Sequence, residues 1–152
     1  MTPLLLLLLI TGCYAAYNLL VKVSGSHTEV TAAPILATIS LQLAALSVSL
    51  ICLAYLNRGN INIALPGKVY FWAVLAGVCI GTAEVMYFYL FRGLGGEKPM
   101  AANVAIPFIV GGTIAVVVLV SHFVFRESMG LGQWIGVSLA FAGMIVLGLS
   151  SR

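Results

Sequence analysis

Residues 69–91 read VYFWAVLAGVCIGTAEVMYFYLF, an apolar run whose one charge is Glu84. At 1.5 Å per residue such a run covers the ~30 Å hydrocarbon core of a bilayer. Lipid offers the backbone no hydrogen-bond partner, so a run of this kind spans as a helix. Working outward, four further apolar runs occupy residues 3–21, 33–56, 99–125 and 131–149. The alternating ten-residue pattern of a membrane barrel is absent. The expected fold is an all-α integral membrane protein with five transmembrane helices, a single domain over residues 1–152.

The connections are short and rich in turn residues: Ser24-Gly25-Ser26-His27-Thr28-Glu29, then Asn57-Arg58-Gly59-Asn60 with Pro66-Gly67, then residues 93–98, then 126–130. None is long enough to fold separately. The start of the chain reads as a span rather than a cleaved signal. No Lys or Arg precedes Lys22, and the apolar stretch runs past any cleavage point. For the same reason Ile10-Thr11-Gly12-Cys13, which has the look of a lipoprotein processing box, is read as part of the first helix.

Of 152 residues, 62% are hydrophobic and 7% charged, against roughly 25% charged in a soluble domain. The net charge of +3 is not gathered into a patch dense enough to meet nucleic acid. Cys13, Cys52 and Cys79 each lie in an apolar run and give no disulfide framework, and His27 and His122 lack ligands at metal-binding spacing. No cofactor or metal is expected. Paired acids, a nucleophile with a base, and a nucleotide-binding loop are also absent, which argues against an enzyme and against direct use of ATP.

Basic residues set membrane orientation. Arg58, Lys68 and Arg126 fall on one side of the expected topology; Lys22, Arg92, Lys98 and Arg152 fall on the other. So small a bias fits weak selection of one orientation, or insertion both ways up. In the second case a five-helix unit and an inverted copy form an antiparallel homodimer with the symmetry of an inverted-repeat transporter.

Polar groups inside the spans are few. Asn18, Gln42, Glu84 and Asn103 all lie on the same side of their helix midpoints, by about 4 to 12 Å, and so approach one layer. On the first helix Thr11, Tyr14, Asn18 and Lys22 recur at three- and four-residue spacing and form a polar stripe, with Tyr17 one position off it. On the third, Glu84, Tyr87 and Phe91 share a face with Phe88 beside them. An acid among aromatics is a candidate proton-coupling or cation-binding group, or a structural bond to a Tyr or Asn. Asn18 and Tyr14 can equally serve as hydrogen-bonding glue between helices. Pro107 frees the carbonyl of Asn103, as suits a kink facing substrate or a plain packing kink. On the fifth helix Gly132, Gly136, Ala140 and Gly143 put small residues on neighbouring positions, a candidate dimer interface; Gly77 and Gly81 make a second close-packing pair.

From Tyr87 onward the chain resembles one half of an EamA-like member of the drug/metabolite transporter superfamily. The features are an apolar fourth helix with Pro107 in its first half, Phe125-Arg126-Glu127 at its end, then Gln133, Gly136 and a glycine-rich last helix through Gly143. Asn18 and Lys22 are similar to that family's opening helix. The resemblance implies half of a ten-helix inverted-repeat transporter in the inner (plasma) membrane, an exporter of small organic metabolites or drugs, with Glu127 a structural helix-end residue. It is more distantly similar to the small multidrug resistance proteins, whose essential acid lies on the first helix, whereas Glu84 lies on the third. The sequence-level expectation is a secondary carrier whose substrate or ion site comprises Tyr14, Asn18, Gln42, Glu84, Tyr87, Asn103 and Pro107. The alternatives are an accessory membrane subunit, or a lipid-headgroup flippase unit with Lys22 and Tyr14 at the phosphate.

Overall fold

In the computed structural model, residues 3–26, 32–58, 66–93 and 98–150 are described. They form five helices: α1 (Pro3–Ser26), α2 (Ala33–Asn57), α3 (Gly67–Arg92), α4 (Ala102–Phe123) and α5 (Leu131–Ser150). No strand occurs among the described residues. Each helix is long and apolar enough to cross a membrane. Large apolar side chains from Leu4 to Leu149 remain exposed on every helix. In water such a surface would be untenable; in lipid it is the expected exterior.

The helix ends depart most from the sequence expectation in α1 and α4. α1 does not stop at Val21 but continues through Ser24, Gly25 and Ser26. These turn-forming residues stay helical because Gly25 is buried against α3, where a Cβ would lie 3.0 Å from that of Phe91, and because Ser26 Oγ donates back to the carbonyl of Val23. α4 is shorter than expected at both ends. It begins at Ala102, after an extended Ala101, and ends at Phe123. There Arg126 takes a left-handed φ of 56° while the N–H groups of Phe125 and Glu127 reach back to the carbonyls of Val120 and Ser121. His27, Thr28, Glu29, Gly59, Asn60, residues 94–97 and Arg152, which enter the loop and charge readings, lie outside the described residues.

The chain divides into two compact units, Met1–Pro99 and Met100–Arg152. In the first, α1 and α2 each pack on α3. The α1 contacts with α3 advance together along both helices, from Asn18 with Tyr87 to Gly25 with Phe91, so the two run parallel. Val21, Phe88 and Phe91 form the tight centre of this unit, joined from α2 by Pro34 and Thr38. Helix association in lipid gains little from the hydrophobic effect, so close packing and interhelical hydrogen bonds must hold it.

In the second unit α4 and α5 pack as a pair. Gly111 admits Met144, whose Sδ would stand 2.8 Å from an added Cβ. At the other end His122 meets Trp134 edge-on at 5.4 Å. The N-terminus of α5 is closed by Gln133 Oε1, which accepts from the N–H of Gly130 at 2.8 Å, the return half of a capping box.

Candidate functional site

Glu84 lies in the C-terminal half of α3 and is 6% exposed. Its Oε2 is buried without a hydrogen-bond partner, and so is the hydroxyl of Tyr17 on α1. These are the buried, unpartnered side-chain atoms among the described residues. Several hydroxyls in the spans are satisfied inside their own helices. The hydroxyls of Thr11, Thr38, Ser40, Thr82 and Thr113 each donate to a carbonyl four residues back. Leaving Glu84 and Tyr17 unsatisfied is therefore specific to this place. A carboxylate at membrane depth is costly unless a proton or a cation discharges it.

The two groups are neighbours. Tyr17 packs its ring on that of Tyr87, centroids 6.5 Å apart, one turn along α3 from Glu84. Its hydroxyl lies beside the Glu84 carboxyl, near enough to share a hydrogen bond with it. Around them the remaining hydrogen-bond capacity is committed. Tyr87 donates its hydroxyl to Asn18 Oδ1 at 2.8 Å, and Asn18 Nδ2 donates to the carbonyl of Tyr14 at 2.8 Å. The aromatic series continues from Tyr14 through Tyr17 and Tyr87 to Phe91. Lys22 Nζ stands 5.1 Å from the Phe91 ring centroid, within cation–π range.

Beside this cluster a groove of about 720 Å³ runs between α1 and α2. Cys13, Ala16, Leu20 and Val21 line it from α1, Ala37 and Leu41 from α2, and Phe88 from α3. Tyr17 belongs to both features, lining the groove and facing the Glu84 side of α3.

The structure thus gathers Asn18, Glu84 and Tyr87 in the first unit. Gln42 is exposed and reaches α3 one turn before Glu84, where its Nε2 would be 3.0 Å from a Cβ at Gly81. Tyr14 is 64% exposed, so the polar stripe of α1 is engaged with α3 from Asn18 onward and not along its whole length. Asn103 and Pro107 belong to the second unit, Asn103 as an exposed second residue of α4 and Pro107 inside that helix. On α5, Gly132, Gly136, Ala140 and Gly143 are all exposed, and a Cβ on any of the three glycines would meet open space. His122, read as an anchor near the membrane surface, packs on Phe123 and Trp134.

Tyr17 is the residue that sequence reasoning left undecided. The signal for it was the row Tyr17, Val21, Gly25 at four-residue spacing. That row, not the polar one beside it, carries the α1 residues buried against α3: Val21 and Gly25.

Five long apolar helices with an unsatisfied acid buried in one of them define a multi-pass membrane protein with a polar site inside its spans. No family model matches the chain, and no solved structure matches it significantly. Among curated proteins it is similar to the uncharacterized protein y4nH of Sinorhizobium fredii, with 38% identity over 48 residues. That match takes in 32% of this chain and 41% of the relative, so the chain spans about two fifths of the length of the curated relative it matches.

Proposed function

We propose that this chain is one half of a secondary transporter. It works in the inner (plasma) membrane as an antiparallel homodimer, exports small organic metabolites or drugs by alternating access, and couples transport to protons at Glu84. The observation that carries this reading is the Glu84 carboxyl, buried within a span with Oε2 unsatisfied. An intramembrane acid that no structural hydrogen bond explains is by default a transport or coupling group. A single such carboxyl serves a carrier by being held either by a proton or by a bound solute, one excluding the other.

The antiparallel arrangement is supported by the odd number of spans, by the near-equal division of basic residues between the two sides, and by the open small-residue face of α5. Such faces let helices of separate subunits approach closely. The same face also favours a second reading, an accessory subunit packed against a different membrane protein.

The test is exchange. Purified protein in liposomes is loaded with a defined mixture of small organic solutes, and entry of the isotopically labelled mixture is followed by mass spectrometry. Carrier function predicts counterflow of at least one solute above that in protein-free liposomes. Absence of exchange for every solute, together with co-purification of a fixed second membrane protein, favours the accessory subunit.

A further inference from the structure

Away from the Glu84 cluster, α2 carries a polar side chain that faces out of the fold. Gln42 lies three residues, ~4.5 Å, from the midpoint of α2 (Ala33–Asn57), at the depth of the hydrocarbon core. Its Nε2 approaches α3 at Gly81, yet the residue is exposed, and its amide has no hydrogen-bond partner among the described residues. A primary amide has two donors and an acceptor to satisfy, and hydrocarbon satisfies none of them. We propose that Gln42 bonds to the partner's Gln42 across an antiparallel pairing of the α2 helices of two copies of this chain. The proposal rests on the antiparallel homodimer of the reading above, not on transport, and holds whether or not α5 also joins the subunits.

Gln42 belongs to a regular row. Ile35, Ile39, Gln42, Leu46, Ser49 and Leu53 follow one another at alternating spacings of four and three, and all six are exposed. This is the heptad spacing by which two helices supercoil, the side chains of one filling the holes of the other. Ser49 Oγ already donates to the carbonyl of Ala45 at 3.1 Å, so Gln42 is the polar member of the row that still needs a partner. One polar residue in such a row fixes the register of the pair.

The row is also symmetric, which singles out a second copy over an unrelated protein. Its spacings read the same in both directions about residue 44, one residue from the midpoint of α2. Two copies can therefore pair antiparallel at equal membrane depth with each layer filled. Ile35 then meets the partner's Leu53, Ile39 the partner's Ser49, and Gln42 the partner's Leu46. The two Gln42 residues fall on adjacent layers either side of the two-fold axis, ~6 Å apart along the helices. At that separation each Nε2 can donate to the other's Oε1. A two-fold contact of this kind uses the same patch on both subunits and closes on itself.

Cross-linking tests the pairing. With Cys13, Cys52 and Cys79 replaced by alanine, full-length copies carrying Ile39→Cys or Ser49→Cys, distinguished by tag size, are co-expressed and oxidised in the membrane. The expected product is the mixed disulfide dimer. Neither variant should cross-link with itself, because antiparallel pairing holds like positions ~15 Å apart along the helices. Gln42→Leu keeps an apolar side chain in the row and removes the amide. It is expected to weaken self-association in liposomes, read by energy transfer between labelled copies, at least about eightfold, for two interhelical bonds of about threefold or more each. Leu36→Ala, an exposed position off the row, is expected to change it less than about twofold.

Cross-linking of Ile39→Cys with itself would mark parallel pairing and overturn the assignment. So would the absence of any mixed dimer, or a Gln42→Leu variant that associates as wild type does. Solute exchange in liposomes without the mixed dimer would leave the carrier reading standing and remove this interface. The mixed dimer without exchange would do the reverse.

Discussion

The hydroxyl of Tyr87 donates to Asn18 Oδ1 at 2.8 Å, linking two helices whose residues are 69 positions apart in the chain. The bond fixes the register of α1 on α3 and thereby sets Tyr17, the next residue, against the turn that carries Glu84. In a bilayer such interhelical bonds are worth ~0.6 to 1.7 kcal/mol, because the separated helices also find partners. Tyr87→Phe should lower unfolding stability in bicelles by an amount in that range. A double-mutant cycle with Asn18→Ala should show non-additivity of the same size. Strict additivity would mean that the bond does not form in the membrane.

Glycines differ in what they admit, and the differences are testable. At Gly25 a Cβ would press on the Phe91 Cβ at 3.0 Å, an atom fixed to backbone that cannot swing away. Gly25→Ala should cost about 1 to 3 kcal/mol, as overpacking does. At Gly81 and Gly111 the obstructing atoms are the far ends of Gln42 and Met144. Alanine there should cost less than ~1 kcal/mol, offset by its better helix propensity. Thermal unfolding of the three variants in one detergent checks the order, and a Gly25 variant as stable as the other two would contradict it.

How much of this was legible in the sequence follows from where the forces act. The existence of five helices was legible because lipid permits nothing else for such runs, and α2 and α5 begin at the expected Ala33 and Leu131. The end of α1 was not, because Gly25 and its serines are turn formers by themselves and become helical through contact with Phe91, far along the chain. Polarity singled out Glu84, Asn18 and Tyr87 because polar groups are few in the spans, and the structure brings Asn18 and Tyr87 together one turn from Glu84. Tyr17 was left undecided because no spacing rule reveals which face of α1 is buried against α3 or whether a hydroxyl finds a partner there.

The small-residue face of α5 gives a prediction about assembly that is separable from folding. A side chain at Gly132, Gly136 or Gly143 meets open space within the chain, so Gly136→Leu should leave monomer stability unchanged. If this face joins the subunits, the same change should convert a cross-linkable dimer to monomer. Retention of the dimer would move the interface elsewhere.

Dual orientation can be read from Lys98 and Glu127, exposed residues on opposite sides of the expected topology. With Cys13, Cys52 and Cys79 replaced by alanine, Lys98→Cys and Glu127→Cys should each react with a membrane-impermeant maleimide in intact cells in only part of the population. Complete labelling at one site and complete protection at the other would establish a single orientation.

The central claim is that the buried carboxyl of Glu84 couples a proton to solute movement, and pH-gradient-driven accumulation tests it most directly. Wild-type protein in liposomes should concentrate an exchanged solute when a pH gradient is imposed, and cease to do so when the gradient is collapsed. Glu84→Gln, with the shape kept and the titratable group removed, should lose the gradient-driven accumulation. Accumulation by the Glu84→Gln variant equal to that of the wild type would contradict the account.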